Sequence, residues 1–386
     1  MTEKFIPLSV PNLKGKELEY ITAAIQTEWV STGGQYVDGF ESKIAEYVDA
    51  KGAVSCQNGT AGLHIALILS GITPDDEVIV PTLTFIAAVN PVKYIGAEPV
   101  FMDCDDSLCL DPAKLRRFCE EECVFRNGRL FDKANGRQIK AIVAVHVFGN
   151  MADMEAITDI ALKYDLKIVE DATEALGTYY TDGKFKGKFA GTIGDIGVYS
   201  FNGNKIITTG GGGMIVSNND EYLKRAKHLT TQAKSDALYY THDEIGYNYR
   251  MTNLQAALGL AQLECLEDFI KIKEDNYNAY KKLLDRIDGL KLLSFRKNTR
   301  SNRWFYALLC DGCKLSRDEL IKYLSAHNIQ SRPVWGLISD QLPYASAKTY
   351  KIEKARCFWK SIVNIPCSTN LTLDDIKTVV NVIENV

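Results

Sequence analysis

The chain has 386 residues, 46% hydrophobic and 24% charged, enough to bury a large core spread over more than one structural unit. Its 45 basic and 49 acidic residues give a formal charge of −4 with no basic block, which argues against nucleic acid or an anionic membrane as partner and for a small polar substrate. The opening "MTEKFIPLSVPNLKGKELEY" has no apolar signal core and no apolar run is long enough to span a bilayer, so a cytoplasmic location is expected.

Between residues 50 and 216, short β-branched runs alternate with helical patterns. A helix is expected over "TAGLHIALILSG" after residue 59, then strands over "EVIVP" (77–81) and "EPVFMD" (98–103). The charged stretch "CEEECVFRNGRLFDKANGRQ" (119–138) reads as a surface hairpin. It is followed by a strand in "IKAIVAVHVFG" (139–149), a helix in "MADMEAITDIALKYD", and strands in "LKIVED" (166–171), "IGVYSF" (196–201) and "GMIVSN" (213–218). That rhythm predicts an α/β fold whose mainly parallel sheet has helices on both faces, with active groups at the carboxyl ends of strands.

After residue 251 the apolar positions of "TNLQAALGLAQLECLEDFIKIKEDNYNAYKKLLDRI" recur at helical spacing and suggest one long connecting helix. Beyond residue 290 a strand ("NRWFYALLC") and two helices ("SRDELIKYLSAHNI", "TLDDIKTVVNVIENV") suggest a smaller unit. The expected division is a large domain over 1–250 and a connecting helix plus small domain over 251–386. Ten cysteines are scattered, and only Cys310 and Cys313 in "CDGC" have metal or redox spacing. Without a second such pair they read as reduced thiols around a hairpin turn.

Lys205, in "YSFNGNKIITTGGGGM", follows a strand end and precedes four glycines that permit close backbone approach. It is either a desolvated amine able to attack a carbonyl or a surface lysine in a flexible loop. Asp171 closes "LKIVED", where it could hold a pyridine nitrogen protonated or merely cap a helix begun by "EDATEA". Gly59, Thr60 and Ala61 open a helix whose free amides suit a phosphate, although glycine and threonine there also serve capping alone. No P-loop, GxGxxG, nucleophile elbow or metal-ligand histidine pair is present.

Together these segments resemble the DegT/DnrJ/EryC1/StrS family of pyridoxal-phosphate (PLP) sugar aminotransferases, of the aspartate-aminotransferase fold (fold type I). The likeness runs nearly end to end, through "WVSTGGQYVDGFE", "NGTAGLHIAL", "PTLTFIAAVNPV", "EDATEALG", "GYNYRMTNLQAALGLAQL" and "IPCSTNLT". It implies that Lys205 holds the cofactor as a Schiff base, that Asp171 pairs with the pyridine nitrogen, and that Thr60, Ala61 and Ser200 bind the phosphate. It also implies that Phe85 covers the ring, unless that residue packs in the core, and that Asn248 is donated by the partner subunit of a homodimer.

Two positions depart from the family pattern. Glu174 stands where many relatives have glutamine near the cofactor's phenolic oxygen, and Gly211 replaces the glutamate of "TTGEGG". Arg250 could hold an amino donor's carboxylate or brace the dimer. The form "TTGGGG" is similar to that of a subset acting on UDP-linked amino sugars, and the stretch "EEECVFRNGRLFDKANGRQIKAI" (120–142) resembles one in legionaminic acid pathway aminotransferases. That likeness implies L-glutamate as donor and a UDP-2-acetamido-4-keto-2,6-dideoxyhexose as acceptor, with a dTDP- or GDP-4-keto-6-deoxyhexose as the alternative. A related dehydratase carries histidine at the lysine position, and a non-catalytic member would lack Lys205 or Asp171; both residues are present here.

Overall fold

Unbroken runs of Val, Ile and Ala form strands only where both faces of a sheet are covered, and all six residues of Asp76–Pro81 are indeed buried. The computed structural model describes residues 4–236, 238–310 and 314–385. In chain order the first strands are β1 (Gly52–Cys56), β2 (Asp76–Pro81), β3 (Glu98–Met102), β4 (Cys123–Arg126) and β5 (Arg129–Asp132). They are followed by β6 (Gln138–Val145), β7 (Lys167–Asp171), β8 (Tyr179–Tyr180), β9 (Ile196–Ser200) and β10 (Gly213–Ser217).

The central sheet runs β1-β10-β9-β7-β6-β2-β3, with Lys348–Tyr350 on its far edge. From β9 to that edge the strands are parallel, whereas β10 runs antiparallel to both β9 and β1. The α/β architecture is therefore as expected, and the carboxyl ends of β2, β6, β7 and β9 share one edge. The 119–138 stretch forms the β4–β5 hairpin, and β5 pairs antiparallel with β6.

A second, antiparallel sheet orders Leu290–Leu292, Tyr306–Cys310, Ile362–Ile365 and Arg332–Pro333. The start of the chain lies against this part of the molecule: Ile6 bridges to Ile329 and the Cys367 amide donates to the Leu8 carbonyl at 2.8 Å. Among the described residues no helix is long and apolar enough to cross a membrane. The "DG" turn of "CDGC" lies outside the described residues.

One expectation fails. The stretch after residue 251 is two helices, Asn253–Glu264 and Leu266–Leu284, that meet at Cys265. The Cys265 amide donates to both Gln262 and Leu263 carbonyls, which tightens the last turn. The first helix buries small residues such as Ala256, Ala257, Gly259 and Ala261, and the second buries a stripe of larger ones including Phe269, Tyr277 and Tyr280. A tightened turn separates two helices with different packing needs, which apolar periodicity alone did not reveal.

Candidate active site

β9 ends at Ser200, and the chain then turns so that the Lys205 amide donates to the Asn202 carbonyl at 3.0 Å. The Lys205 side chain is only 12% exposed, so it is no surface lysine. Its Nζ stands 4.2 Å from the centroid of the Trp304 ring and 3.9 Å from Glu174 Oε1. Burial lowers the affinity of the amine for a proton, and the carboxylates of Glu174 and Asp171 only partly restore it.

Asp171 ends β7 and is buried. No helix follows it; the Thr173 amide donates to its Oδ1 at 3.0 Å in a tight turn, so helix capping is not its task. Burial raises its pKa against the pull of Thr173, Lys205 and His146. Glu174 is buried too, and its Oε2 accepts the Phe148 amide at 2.7 Å. Phe148 holds a positive φ of 57°, which a side chain rarely adopts, and so turns its N–H toward that carboxylate. Burial pushes Glu174 up to about 7 despite the opposing pull of Lys205.

The helix Gly59–Leu69 is capped by Asn58, whose side chain accepts the Ala61 amide at 2.8 Å. Ala61 therefore differs from the expectation: its amide is already engaged and it does not line the cavity, whereas Gly59 and Thr60 do. A Cβ on Gly59 would lie 2.9 Å from Thr173 Cγ2 and 3.0 Å from Ser200 Cβ, so only glycine lets the helix start and Ser200 come this close.

These groups open onto one cavity of about 240 Å³ that also takes in Phe85, Trp304, Phe305 and Trp335. Phe85 is 52% exposed and lines the cavity with its ring tilted against that of Trp335 at 6.3 Å, so it is not packed in the core. Asn202 and Asn204 supply amides at the same opening. The two tryptophans and the two asparagines were not foreseen from sequence; an indole directly after Asn302 and Arg303 in "NRWFY" was the available signal for Trp304. Asn248 is exposed and Arg250 reaches Asp38 at 3.5 Å; neither lines the cavity of its own chain. At Gly211 a Cβ would meet only Gln255 Nε2 at 3.8 Å, so space does not force that departure.

The donor set suits a pyridine aldehyde phosphate. A deprotonation-prone amine, a buried carboxyl without a lysine or arginine in hydrogen-bond contact, a hydroxyl beside a helix start, and an aromatic face all border one tight cradle.

A parallel-stranded α/β sheet with a buried lysine and aspartate at its carboxyl edge defines the class of fold type I PLP enzymes. The sequence matches the DegT/DnrJ/EryC1/StrS aminotransferase family over residues 11–384, and the chain belongs to that family. It is 37% identical to the GDP-perosamine synthase of Caulobacter vibrioides over 99% of this chain and 98% of that protein. It is 30% identical to the UDP-4-amino-4,6-dideoxy-N-acetyl-beta-L-altrosamine transaminase of Campylobacter jejuni, over 97% of this chain and 95% of that one. Its fold superimposes on the crystal structure of a DegT DnrJ EryC1 StrS aminotransferase from Brucella abortus with a TM-score of 0.87 and 27% identity, covering 96% and 95% of the chains. The protein is a PLP-dependent sugar aminotransferase.

Proposed function

We propose that the protein moves an amino group from L-glutamate to C4 of a nucleotide-linked 4-keto-6-deoxy sugar, with UDP-2-acetamido-4-keto-2,6-dideoxyhexose as the acceptor. The observation that carries the chemistry is the buried Lys205 amine set 3.9 Å from a carboxylate and facing one cavity with Asp171. Lys205 would hold the cofactor covalently, Asp171 its ring nitrogen, and Ser200 with the Gly59 and Thr60 amides its phosphate. When bound, the cofactor supplies an electron sink for the carbon that loses or gains a proton.

The chain's own residues do the rest. Lys205 Nζ, whose hold on a proton burial weakens, takes the proton from one carbon and returns it to the other. Asp171, anionic against a cationic ring, keeps that sink electron-poor. Phe85 and the tryptophans exclude water and offer flat apolar faces to ring and sugar. Asn202 and Asn204 are neutral donors and acceptors suited to hydroxyl or acetamido groups.

Support for the UDP-acetamido acceptor is the "TTGGGG" loop, whose Gly211 and Gly212 line the cavity. The hairpin of 119–138 does not line it and bears on the reading only as a resemblance. A GDP-linked acceptor is favoured by the higher identity to GDP-perosamine synthases, 37% and 38% against 30%. Incubating the enzyme and glutamate with each keto sugar and following amino sugar by mass spectrometry decides between them; preference for a sugar without the acetamido group refutes the first choice. Lys205→Ala is expected to abolish turnover together with the borohydride-bleached cofactor band, and retention of both overturns the assignment of the lysine.

We further infer a homodimer in which Asn248 of one copy reaches the cavity of the other. Asn248 is exposed away from its own cavity, and its segment also exposes Leu238, Tyr239, Tyr240 and Ile245, a cluster expected to be covered. Full activity in a dilute monomer, seen by sedimentation alongside turnover, contradicts it.

A further inference from the structure

Three ionisable groups close to one another border the cavity. Lys205 comes from the turn after β9, Asp171 from the end of β7, and Glu174 from the turn that follows. Were all three ionised, two negative charges and one positive would share a site where the Lys205 and Glu174 side chains are only 12% and 3% exposed. His146, beyond Asp171, is engaged with Glu170 at 2.9 Å and with the Ala152 amide at 3.1 Å. Lys273, behind Trp304, donates to the Trp304 carbonyl at 2.6 Å and to the Cys367 carbonyl. Neither therefore supplies a direct counter-ion.

The two oxygens of Glu174 have unequal surroundings. Oε2 is fixed by the Phe148 amide, and Oε1 faces the lysine at 3.9 Å, near enough for ion pairing and too far for a formed hydrogen bond. A small rotation of either side chain closes that gap. Asp171, by contrast, has an oxygen committed to Thr173.

We propose that Glu174 is a proton store for Lys205: the pair carries one proton, divided between Nζ and Oε1 when the cavity is at rest and held on Oε1 when the amine must act as base or nucleophile. In that transfer one N–H bond breaks and one O–H bond forms, and no other reactant is needed. Two neutral partners cost less in a dry cavity than a separated ion pair, which makes the exchange nearly balanced. Burial of both groups acts in the same direction, weakening the hold of nitrogen on the proton and strengthening that of the carboxyl. The inference rests on Lys205 being the reacting amine, and it adds an acceptor that a glutamine at this position could not provide.

The test uses the full chain freed of cofactor. Neutral lysines are methylated with formaldehyde and cyanoborohydride across about pH 5 to about pH 9.5, and Lys205 is quantified by peptide mass spectrometry. Wild type is expected to show two steps separated by a plateau, as coupled sites do. Glu174→Gln keeps an oxygen for the Phe148 amide and should give a single step, its midpoint about one unit lower than the upper step of wild type, a roughly tenfold gain in labelling between them. Lys273 serves as the internal standard for an intact fold. Infrared spectra supply the second readout: wild type should retain a protonated-carboxyl band near neutral pH that the variant lacks. Superimposable labelling curves, or a wild type without that band, overturn the proposal. A wild type that shows both signatures yet fails to bind PLP or turn over refutes the functional reading instead.

Discussion

Asp103 and Asp171 follow or end parallel strands of one sheet, both are buried, and both have a lysine nearby, yet they are held in opposite states. Asp103, just after β3, accepts Lys114 Nζ at 2.6 Å and the amides of Glu353, Lys354 and Ala355 at 3.0, 2.9 and 2.7 Å. Burial pushes Asp103 up, but these donors outweigh it and hold the carboxyl below its usual range. Burial likewise opposes the charge of Lys114, and Asp103 and Glu353 overcome it, so that lysine binds its proton more tightly than usual. At Asp171 and Lys205 the compensation falls short: the acid is raised and the amine lowered, each by burial that its neighbours only partly offset. The first pair spends its hydrogen bonds on joining β3 to the later segment around residue 353; the second leaves its capacity for a ligand. Burial alone does not set charge, and the number of donors and acceptors supplied does.

The comparison is broken most sharply by removing each aspartate's charge. Asp171→Asn should cut kcat by about 10²–10³-fold, from the loss of a buried ionic partner worth about 3–5 kcal/mol, while the urea midpoint of the cofactor-free chain holds or rises. Asp103→Asn should do the reverse, lowering stability by about 3–5 kcal/mol with kcat per folded molecule unchanged. Equal effects of both variants on activity would erase the distinction between the two sites.

A smaller effect concerns pH. A lowered carboxyl such as Asp103 stabilises the fold above its unfolded pKa, and that contribution is lost only as pH falls through the lowered folded value. Raised carboxyls such as Asp171 and Glu174 act oppositely: the folded chain keeps their protons, so stability falls as pH rises from the unfolded value toward the folded one. For Glu174 that window ends near 7 and spans on the order of 3 kcal/mol. Urea unfolding of the cofactor-free chain should give a lower midpoint at about pH 8 than at about pH 5.5, and Glu174→Gln should shrink the difference, with Glu77, also raised to about 7, supplying part of the remainder. A wild-type midpoint that climbs over this interval would contradict the assigned sign.

The smallest effect is expected at the β4–β5 hairpin. Glu77 of β2 lies beside it: its Oε1 accepts Asn135 at 2.6 Å, Asp132 takes Lys348 at 2.7 Å, and Glu77 Oε2 is buried without a partner. Burial pushes Glu77 up to about 7. Glu77→Gln should raise stability by about 1 kcal/mol at pH 8 and leave kcat untouched, as seen by thermal unfolding. Destabilisation at that pH would mean the carboxylate is better satisfied than its surroundings indicate.

Part of the site was legible because strand ends in parallel α/β sheets converge on one edge, so Asp171 and Lys205 could be singled out by position and type, whereas Ser200 came only from the family resemblance. Gly59 and Thr60 followed from the free amides of a helix start, but Ala61 was assigned without the Asn58 side chain that engages its amide. Trp304 and Trp335 were missed because each comes from a distant segment whose local pattern states only that an indole is present. The break at Cys265 escaped because apolar spacing stays helical across a single tightened turn.

The sequence by itself determined the order of strands and helices and the residue types at the strand ends, because local periodicity and backbone geometry act within a few residues, and its resemblance to a known family supplied the chemistry. Only the tertiary structure decided which acid is satisfied and which is left wanting. That depends on amides brought from hundreds of residues away, as those of Lys354 and Ala355 are to Asp103, and on how little the Lys205 and Glu174 side chains are exposed.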